Sequence, residues 1–261
     1  MTRRAAGRAI ALAGLLCAPV LAAQDPAGAP ERHHGGIVRG PTAGRLIALE
    51  FTGHEFAEGG PVILDELARR GARASFFLTG DFLRTEAFAP LIRRIVADGH
   101  YLGPHSDKHL LYCDWEARGN TLVTREAFVR DVDDNLRAIE AFGVPRSRVR
   151  YWVPAYEWYN DEVAAWSAGL GLTLVNFTPG TSSNADYTGE ADRRFVPSQQ
   201  IADSILARER EDPHGLNGYL LLLHIGAGPA RADKMHGRLG GLLDALSALG
   251  YRFVRVDELL R

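Results

Sequence analysis

The chain has 261 residues, with 30 basic and 32 acidic side chains and a formal net charge of −2. This length accommodates one large α/β domain or two small ones. The near balance of charge provides no polycationic surface, which argues against nucleic acid as a partner and favours a neutral or weakly charged ligand.

The first 23 residues have the pattern of a secretory signal peptide. Arg3, Arg4 and Arg8 precede an apolar run over residues 9–16, and the small-residue stretch Val20-Leu21-Ala22-Ala23 follows. The apolar run is too short to span a membrane, and no later stretch is long and apolar enough to do so. We therefore expect a periplasmic or secreted protein whose mature chain has no membrane span.

The remainder of the chain divides into an arm and one domain. Residues 24–44 are rich in proline and glycine, which predicts a flexible arm. Residues 45–261 show no break in composition and are interpreted as a single catalytic domain. Cys113 is the only cysteine after the leader, so the mature chain has no internal disulfide and its stability must come from packing.

An alternation of short apolar strands and amphipathic helices begins at residue 45 and continues to the C-terminus. The predicted strands cover residues 45–51, 74–79, 101–105, 151–156, 173–178, 219–224 and 252–256, and the predicted helices cover residues 61–70, 90–98, 128–142, 162–170, 199–211 and 238–249. Two polar stretches, residues 110–124 and 179–197, are predicted to be loops. Apolar strands separated by helices predict an α/β domain with a parallel sheet that is covered on both faces. Such a sheet either closes as a barrel or remains open.

Residues suited to catalysis follow several of the predicted strands. His54 and Glu55 follow the first strand, His105 and His109 follow the third, and His224 ends the sixth. Because the carboxyl ends of parallel strands meet at one edge of a sheet, we expect a shared site. Imidazole is a common zinc ligand. His105 and His109 are the best candidate ligands, and a third ligand from His54 or Glu55 would leave one position for water.

The same strand ends supply candidate acids, bases and substrate contacts. Glu55 and Glu157 compete for the role of general base, and His224 is well placed as the general acid. Aromatic side chains that suit the apolar faces of sugar rings are Trp115, Tyr156, Trp158 and Tyr159.

Several of these residues also have a purely structural interpretation. Glu157 is a candidate cap for the helix that follows it. His224 follows four leucines and is equally a candidate buried histidine bonded to backbone. Glu50 alternates with apolar neighbours and would need a partner inside a barrel, so its role stays open. The stretch Asn184-Ala185-Asp186 is either a substrate loop or a solvated one.

Three stretches of the sequence resemble a known family. Residues 74–80 (ASFFLTG), residues 99–106 (GHYLGPHS) with His109, and Leu222-Leu223-His224 are similar to motifs of the polysaccharide deacetylases of the NodB-homology class, carbohydrate esterase family 4. The resemblance extends over residues 45–261 and implies a distorted, incomplete (β/α) barrel of about seven parallel strands. It also implies removal of N- or O-linked acetyl groups from a glycan with a divalent metal, usually zinc. By this resemblance His105 and His109 bind the metal and His224 protonates the leaving group.

The chain departs from the family at two motifs. Where the family has Thr-Phe-Asp-Asp-Gly, this chain has Glu50-Phe51-Thr52-Gly53-His54, so the aspartate base and the aspartate metal ligand are both missing. Where the family has Arg-Pro-Pro-Tyr-Gly, this chain has Val153-Pro154-Ala155-Tyr156-Glu157, so the arginine that orients the base is missing as well. We interpret the chain as a member of a divergent subgroup with rebuilt chemistry.

Three functions are compatible with these residues. The leading hypothesis is a secreted, metal-dependent deacetylase of a polysaccharide or cell-wall glycan. An alternative is a metal-independent glycoside hydrolase that uses a carboxylate pair drawn from Glu50, Glu55 and Glu157. A further alternative is a catalytically inactive deacetylase homologue that binds a glycan.

Overall fold

The computed structural model describes residues 28–261, so the predicted signal peptide lies outside the described residues. The strands are β1 (Glu31–His33), β2 (Gly36–Arg39), β3 (Leu46–Gly53), β4 (Ser75–Leu78), β5 (Tyr101–Pro104), β6 (Tyr151–Trp152), β7 (Thr173–Leu174), β8 (Tyr219–His224) and β9 (Arg252–Val254). The helices are α1 (Gly60–Arg69), α2 (Gly80–Arg84), α3 (Ala89–Ala97), α4 (Arg125–Glu140), α5 (Asp161–Gly169), α6 (Ser198–Glu211), α7 (Leu239–Ala248) and α8 (Val256–Leu259). Among the residues that the structure describes, no helix combines the length and the apolar character needed to cross a membrane.

The strands form one large sheet and one small sheet. The large sheet has the order β1-β2-β8-β3-β4-β5, with β9 beside the first residues of β3, and β6 pairs with β7 in the small sheet. The pairs β3–β4, β3–β8, β3–β9, β4–β5 and β6–β7 are parallel, whereas β1–β2 and β2–β8 are antiparallel. The predicted alternation of strand and helix is therefore confirmed, and helices connect the successive parallel strands, as parallel pairing requires.

The two sheets are connected into a distorted barrel. On one side the amide of Val153, just after β6, donates to the carbonyl of Pro104 at the end of β5 (3.2 Å). On the other side the amide of Asn176, just after β7, donates to the carbonyl of Ile37 in β2 (2.8 Å). Because β6 and β7 contribute only two residues each, the wall is irregular there, and the predicted distorted, incomplete α/β barrel is confirmed.

The predicted flexible arm is wrong for residues 31–39, which form the β1–β2 hairpin. The hairpin lies between β7 and β8, with Ile37 and Val38 buried. Arg39 at its end forms a buried ion pair with Asp212 (2.9 Å). Because residues 24–44 are rich in proline and glycine, their composition gives no indication of the four-residue strand Gly36–Arg39. The two apolar residues of this strand, Ile37 and Val38, complete the barrel wall between β7 and β8.

The interior of the barrel is lined by alternate residues of its strands. Along β3, Ile47, Leu49 and Phe51 pack with the helices in one core cluster, whereas Ala48 packs in a second cluster inside the barrel. Side chains alternate between faces along a strand, so Glu50 and Thr52 point to the same side as Ala48. The carboxyl group of Glu50 therefore lies in the apolar barrel interior, below the strand ends.

Candidate active site

A cleft of about 690 Å³ opens at the carboxyl ends of β3, β5 and β8. Its walls are formed by Thr52, Gly53, His54, Glu55, Phe56, His105, His109, Trp115, Tyr156, Glu157, Trp158, Phe177, Asn184, Tyr187, Arg194, His224, Gly226 and Ala227. The cleft thus brings together all of the predicted site residues except Tyr159. These residues, which follow different strands, therefore lie around one cleft; that this cleft is the catalytic site stays a prediction.

Backbone contacts fix the orientation of the His105 imidazole. His105 is buried, and its Nδ1 lies 3.0 Å from the carbonyl oxygen of Val153. A carbonyl only accepts, so Nδ1 carries the proton and Nε2 presents a lone pair. This Nε2 lies 3.9 Å from Oε1 of Glu157. Burial, together with the neighbouring His109, lowers the pKa of His105 well below its usual value, so the ring is neutral near pH 7.

The turn between His105 and His109 is held by α4 and is not a helix. Asp131 accepts hydrogen bonds from the amides of Asp107 (3.0 Å) and Lys108 (3.1 Å). His109 adopts a left-handed backbone conformation with φ of 55°. Its ring centroid lies 5.2 Å from that of His105. Burial and the nearby His54 lower the pKa of His109 to about 3. The two predicted ligands are therefore close together and are connected by a strained turn.

The predicted three-ligand metal site is not assembled in the described structure. The rings of His54 and His109 are stacked, with centroids 4.5 Å apart and planes 7° from parallel. An imidazole nitrogen holds its lone pair in the ring plane, so two stacked rings cannot direct lone pairs at one ion. Glu55 is no substitute third ligand, because its side chain is 67% exposed and lies 4.0 Å from His54 Nε2. Within residues 28–261, no group of three His, Cys, Asp or Glu side chains is arranged to hold a metal.

Gly53, which takes the position of the family's metal-binding aspartate, has no room for a side chain. A Cβ atom there would lie 2.6 Å from Cγ2 of Ile225 and 2.9 Å from Cδ2 of Leu78. Contacts this short require the surrounding residues to move. A side chain at this position would therefore require Ile225 and Leu78 to move.

Glu157 projects into the cleft from a strained turn after β6. Tyr156 and Glu157 both have positive φ values, 62° and 52°, which non-glycine residues rarely adopt. The side-chain amide of Asn176 donates to the Glu157 carbonyl (2.8 Å) and supports this conformation. Burial raises the pKa of Glu157, and the opposing effect of His224 is smaller. Glu157 does not cap the next helix, because the side chain of Asn160 does so by accepting from the Val163 amide (3.0 Å).

His224, at the end of β8, is paired with Asp186. Nδ1 of His224 lies 2.7 Å from Oδ1 of Asp186, and the His224 amide donates to Oδ2 of the same carboxylate (2.9 Å). Burial disfavours the charged imidazole, but the charge and hydrogen bond of Asp186 outweigh it and raise the pKa of His224. In the sequence, Asp186 stands out only as part of the stretch Asn184-Ala185-Asp186, which is compatible with a substrate loop or a solvated one. No spacing rule connects it to His224, which lies 38 residues further on.

Exposed aromatic side chains surround the cleft. Phe56, Trp115, Tyr156 and Tyr187 come from four different loops, and each is between 40% and 53% exposed. Trp115 also packs on Trp158, with ring centroids 5.3 Å apart. Apolar side chains of this size are normally buried, so their concentration around one cleft indicates a ligand-binding rim.

The predicted contact of Tyr159 with substrate is wrong. Tyr159 is buried, and its hydroxyl donates to the carbonyl of His33 in β1 (3.0 Å). It points away from the neighbouring Trp158 because successive residues of an extended segment face opposite sides. Its role is to attach the β1–β2 hairpin.

Glu50 lies beneath the cleft and is separated from it. Its side chain is fully buried, and neither carboxylate oxygen has a hydrogen-bond partner among the described residues. Burial and the nearby Glu157 raise the pKa of Glu50 to about 8. A group that does not reach the cleft cannot contact a substrate, so Glu50 is removed from the candidate carboxylate pairs of a glycoside hydrolase.

Comparisons with known proteins agree on the family. The sequence profile of the polysaccharide deacetylases matches residues 39–175, more than half of the chain. A chitooligosaccharide deacetylase of Sinorhizobium fredii is 30% identical over 169 residues, which are 65% of this chain and 66% of that protein. The chain therefore spans about two thirds of the length of this curated relative.

Solved structures resemble the fold closely. A peptidoglycan N-acetylglucosamine deacetylase has a TM-score of 0.68 at 20% identity, covering 87% of this chain and 93% of that one. A pseudoenzyme of carbohydrate esterase family 4 from Bacillus anthracis has a TM-score of 0.67 at 18% identity, covering 88% of this chain and 70% of that one. The fold is thus found both in an active deacetylase and in a protein described as inactive.

Proposed function

Because the chain belongs to the polysaccharide deacetylase family, we propose that it is a hydrolase that removes acetyl groups from a glycan through Glu157 and the His224–Asp186 pair. The observation that carries this proposal is the placement of a buried carboxyl group and a carboxylate-paired histidine in the same cleft. The first is suited to accept a proton and the second to donate one.

The reaction follows from these two groups. Glu157 takes a proton from a water molecule as the water oxygen attacks the acetyl carbonyl carbon. The imidazolium of His224 then donates its proton to the departing nitrogen or oxygen as the bond to the acetyl carbon breaks. The products are acetate and a free amine or hydroxyl. Asp186 keeps the imidazole in the orientation and charge state that this donation needs.

The pKa shifts set the active protonation state. The base must be ionised and the acid protonated, so activity requires a pH above the pKa of Glu157 and below that of His224. Both pKa values are raised, the first mainly by burial and the second by Asp186 against the effect of burial. The pH profile of kcat is therefore expected to be bell-shaped, with the acidic limb from Glu157 and the basic limb from His224.

The aromatic rim supports a glycan as the ligand. Sugar rings have apolar faces that pack on aromatic side chains, and hydroxyl groups that need polar partners. The cleft offers both: Trp115 and Tyr156 pack together in its wall, with ring centroids 5.6 Å apart, and Tyr187 and Asn184 also line it. The predicted signal peptide supports a glycan outside the cytoplasm as the substrate.

The predicted zinc ion has no step in this proposal, because the stacked rings of His54 and His109 do not fit it. Dialysis against EDTA tests this part separately. Retained acetate release is expected. Loss of activity that zinc restores would show that these rings rearrange around an ion.

The decisive experiment measures acetate release and sugar chain length from acetylated chitooligosaccharides and acetylated xylan. Wild-type protein should release acetate without shortening the chain, and Glu157→Gln should reduce kcat by about 10²- to 10⁴-fold. Glu86→Gln, an exposed glutamate outside the cleft, serves as the matched control and should retain full activity. Shortened saccharides without acetate would favour the glycoside hydrolase, and binding without any product would favour the inactive homologue.

If Glu55 is the base instead, Glu55→Gln will carry the loss and Glu157→Gln will not. The Glu55 side chain is 67% exposed, whereas Glu157 is buried in the cleft beside His105, so its position favours Glu157 as the base.

A further inference from the structure

Arg231 is fully buried, which is rare for an arginine. Its guanidinium donates to the carbonyl oxygens of Thr188 (2.9 Å), Val196 (2.8 Å) and Asp233 (2.6 Å) and to Oγ of Ser198 (2.9 Å). Three of these four acceptors lie between residues 188 and 198. A buried charge is stable only when it is well bonded, so Arg231 and this stretch of chain depend on each other.

The stretch held by Arg231 forms one wall of the cleft. We call residues 184–197 the cleft loop. It carries Asp186, which binds His224, and Tyr187, whose ring centroid lies 4.8 Å from that of His224. The loop has little regular structure of its own. Between β7 and α6 the structure has one 3-10 turn, Ser183–Ala185, at the start of the loop. Its conformation must therefore come from contacts with other parts of the chain.

Arg231 contacts both ends of the cleft loop. Thr188 follows Asp186 by two residues, and Val196 is next to the last residue of the loop. The guanidinium also lies over the ring of Phe195, 4.8 Å from its centroid. One side chain thus joins the two ends of the loop across its base.

Neighbours of Arg231 add further bonds between the same two segments. The carboxylate of Glu190, in the cleft loop, accepts from the amides of Ala232 (2.7 Å) and Asp233 (3.0 Å). Asp233 in turn accepts from the amide of Ser198 (2.6 Å). None of these bonds replaces those of the guanidinium, because they involve other atoms of the loop.

We propose that Arg231 is a positioning residue that holds the cleft loop in the conformation that directs Asp186 at His224. The catalytic consequence of this inference rests on the proposed function, but the effect on His224 itself does not. Lysine cannot take over the role, because a single ammonium group offers three donors at one point, whereas the planar guanidinium reaches acceptors on several sides.

The test compares Arg231→Lys with Arg39→Lys. Arg39 is also a buried arginine that donates to one carboxylate, of Asp212, and to the carbonyls of Asn217 (3.0 Å) and Gly215 (2.9 Å), away from the cleft. Both variants are expected to lower the melting temperature. Only Arg231→Lys should change the titration of His224, which is followed by NMR and assigned by its loss in His224→Gln.

The expected change has a defined sign. When Asp186 is no longer held in place, burial dominates and the pKa of His224 falls. We expect the pKa of His224 to fall by about 0.5 to 1, which is part of the shift that a close opposite charge causes. The basic limb of kcat should move to lower pH by the same amount. The other titratable groups near the ring are Glu157, His105, His109 and Tyr187. None of them is substituted in either variant, and of the four only Tyr187 lies in the cleft loop.

A milder pair of variants covers the case in which Arg231→Lys does not fold. Ser198→Ala removes one acceptor of the guanidinium and the bond from Ser198 Oγ to the Asp233 carbonyl (2.8 Å). Ser167→Ala is its control, since Ser167 is equally buried and donates to the Val163 carbonyl inside α5 (2.7 Å). Ser198→Ala should shift His224 in the same direction by a smaller amount, and Ser167→Ala should not shift it.

The inference is overturned if folded Arg231→Lys leaves the His224 titration unchanged, or if Arg39→Lys shifts it equally. If Arg231→Lys is unfolded, an unchanged titration in Ser198→Ala overturns it. A wild-type protein that releases no acetate would refute the proposed function, while the NMR titration would still decide the role of Arg231.

Discussion

Replacing Glu50 by glutamine should stabilise the protein, and increasingly so as the pH rises. Glu50 is fully buried in the apolar barrel interior, with no partner for either carboxylate oxygen among the described residues. Its pKa is raised from 4.5 to about 8, chiefly by burial and secondarily by Glu157. Between these two values the folded protein keeps a proton on Glu50 that the unfolded chain has released.

The sign and size of the effect follow from this difference. The folded state binds more protons, so the free energy of unfolding falls as the pH rises from 4.5 towards 8. At about 1.4 kcal/mol per pH unit, the total loss is about 5 kcal/mol, of which about 3 kcal/mol has occurred at pH 7. This loss is a large part of the free energy of unfolding of an ordinary domain, which is about 5 to 15 kcal/mol. Glutamine has nearly the same shape and never ionises, so it avoids the loss.

Urea unfolding followed by tryptophan fluorescence at pH 5, 7 and 9 measures the effect. The difference between Glu50→Gln and wild type should be small at pH 5 and should grow by about 4 kcal/mol or more by pH 9. Glu157 is present in both proteins, so its own titration largely cancels in the difference. The exposed Glu86→Gln is the control and should follow the wild type at each pH. A difference that stays constant over this range would refute the view that Glu50 is buried as a neutral acid.

Three further predictions concern the cleft. Asp186→Asn should lower the pKa of His224 and move the basic limb of kcat to lower pH, because burial is then opposed only by the weaker effect of Glu157. A pH–rate profile with an unchanged basic limb would contradict this. Trp115→Ala should raise KM by about 3- to 10-fold at constant kcat, because the ring contributes binding area and no chemistry. A fall in kcat with an unchanged KM would argue against a role of Trp115 in binding the glycan. Gly53→Ala should lower the free energy of unfolding by about 1 to 3 kcal/mol in a denaturant titration, because the new Cβ would lie 2.6 Å from a carbon of Ile225. Gly119 has open space around it, so Gly119→Ala is the control and should have little effect.

The order of strands and helices was predictable because each element has its own periodic pattern. β8, for example, begins and ends at the predicted residues, since its apolar run is continuous and buried on both faces. β6 and β7 are shorter than predicted. In both, the apolar sequence continues beyond the two residues that pair as a strand, and the residues directly after them are in no strand. The residue after Val153 is a proline, which has no amide proton to donate.

The site was predictable only as far as strand ends determine it. The position of His105 and of His224 follows from the end of a buried strand, and both lie in the cleft. The pairing of His224 with Asp186 and the stacking of His54 on His109 depend on loop conformations. Those conformations are fixed by distant groups such as Arg231 and Asp131, for which the sequence carries no local signal.

The β1–β2 hairpin has a consequence for the order of folding. Arg39 pairs with Tyr219, a residue 180 positions later, so β2 completes its contacts with β8 only after most of residues 45–261 have been made. Until then the edge of β8 that faces β2 stays open to solvent and to other chains. A shortened chain that begins at residue 45, the start suggested by the strand and helix pattern, would lack the β2 neighbour of Tyr219, although Leu220 would keep its bonds to Thr178. Such a chain is expected to associate or aggregate more readily than the full chain.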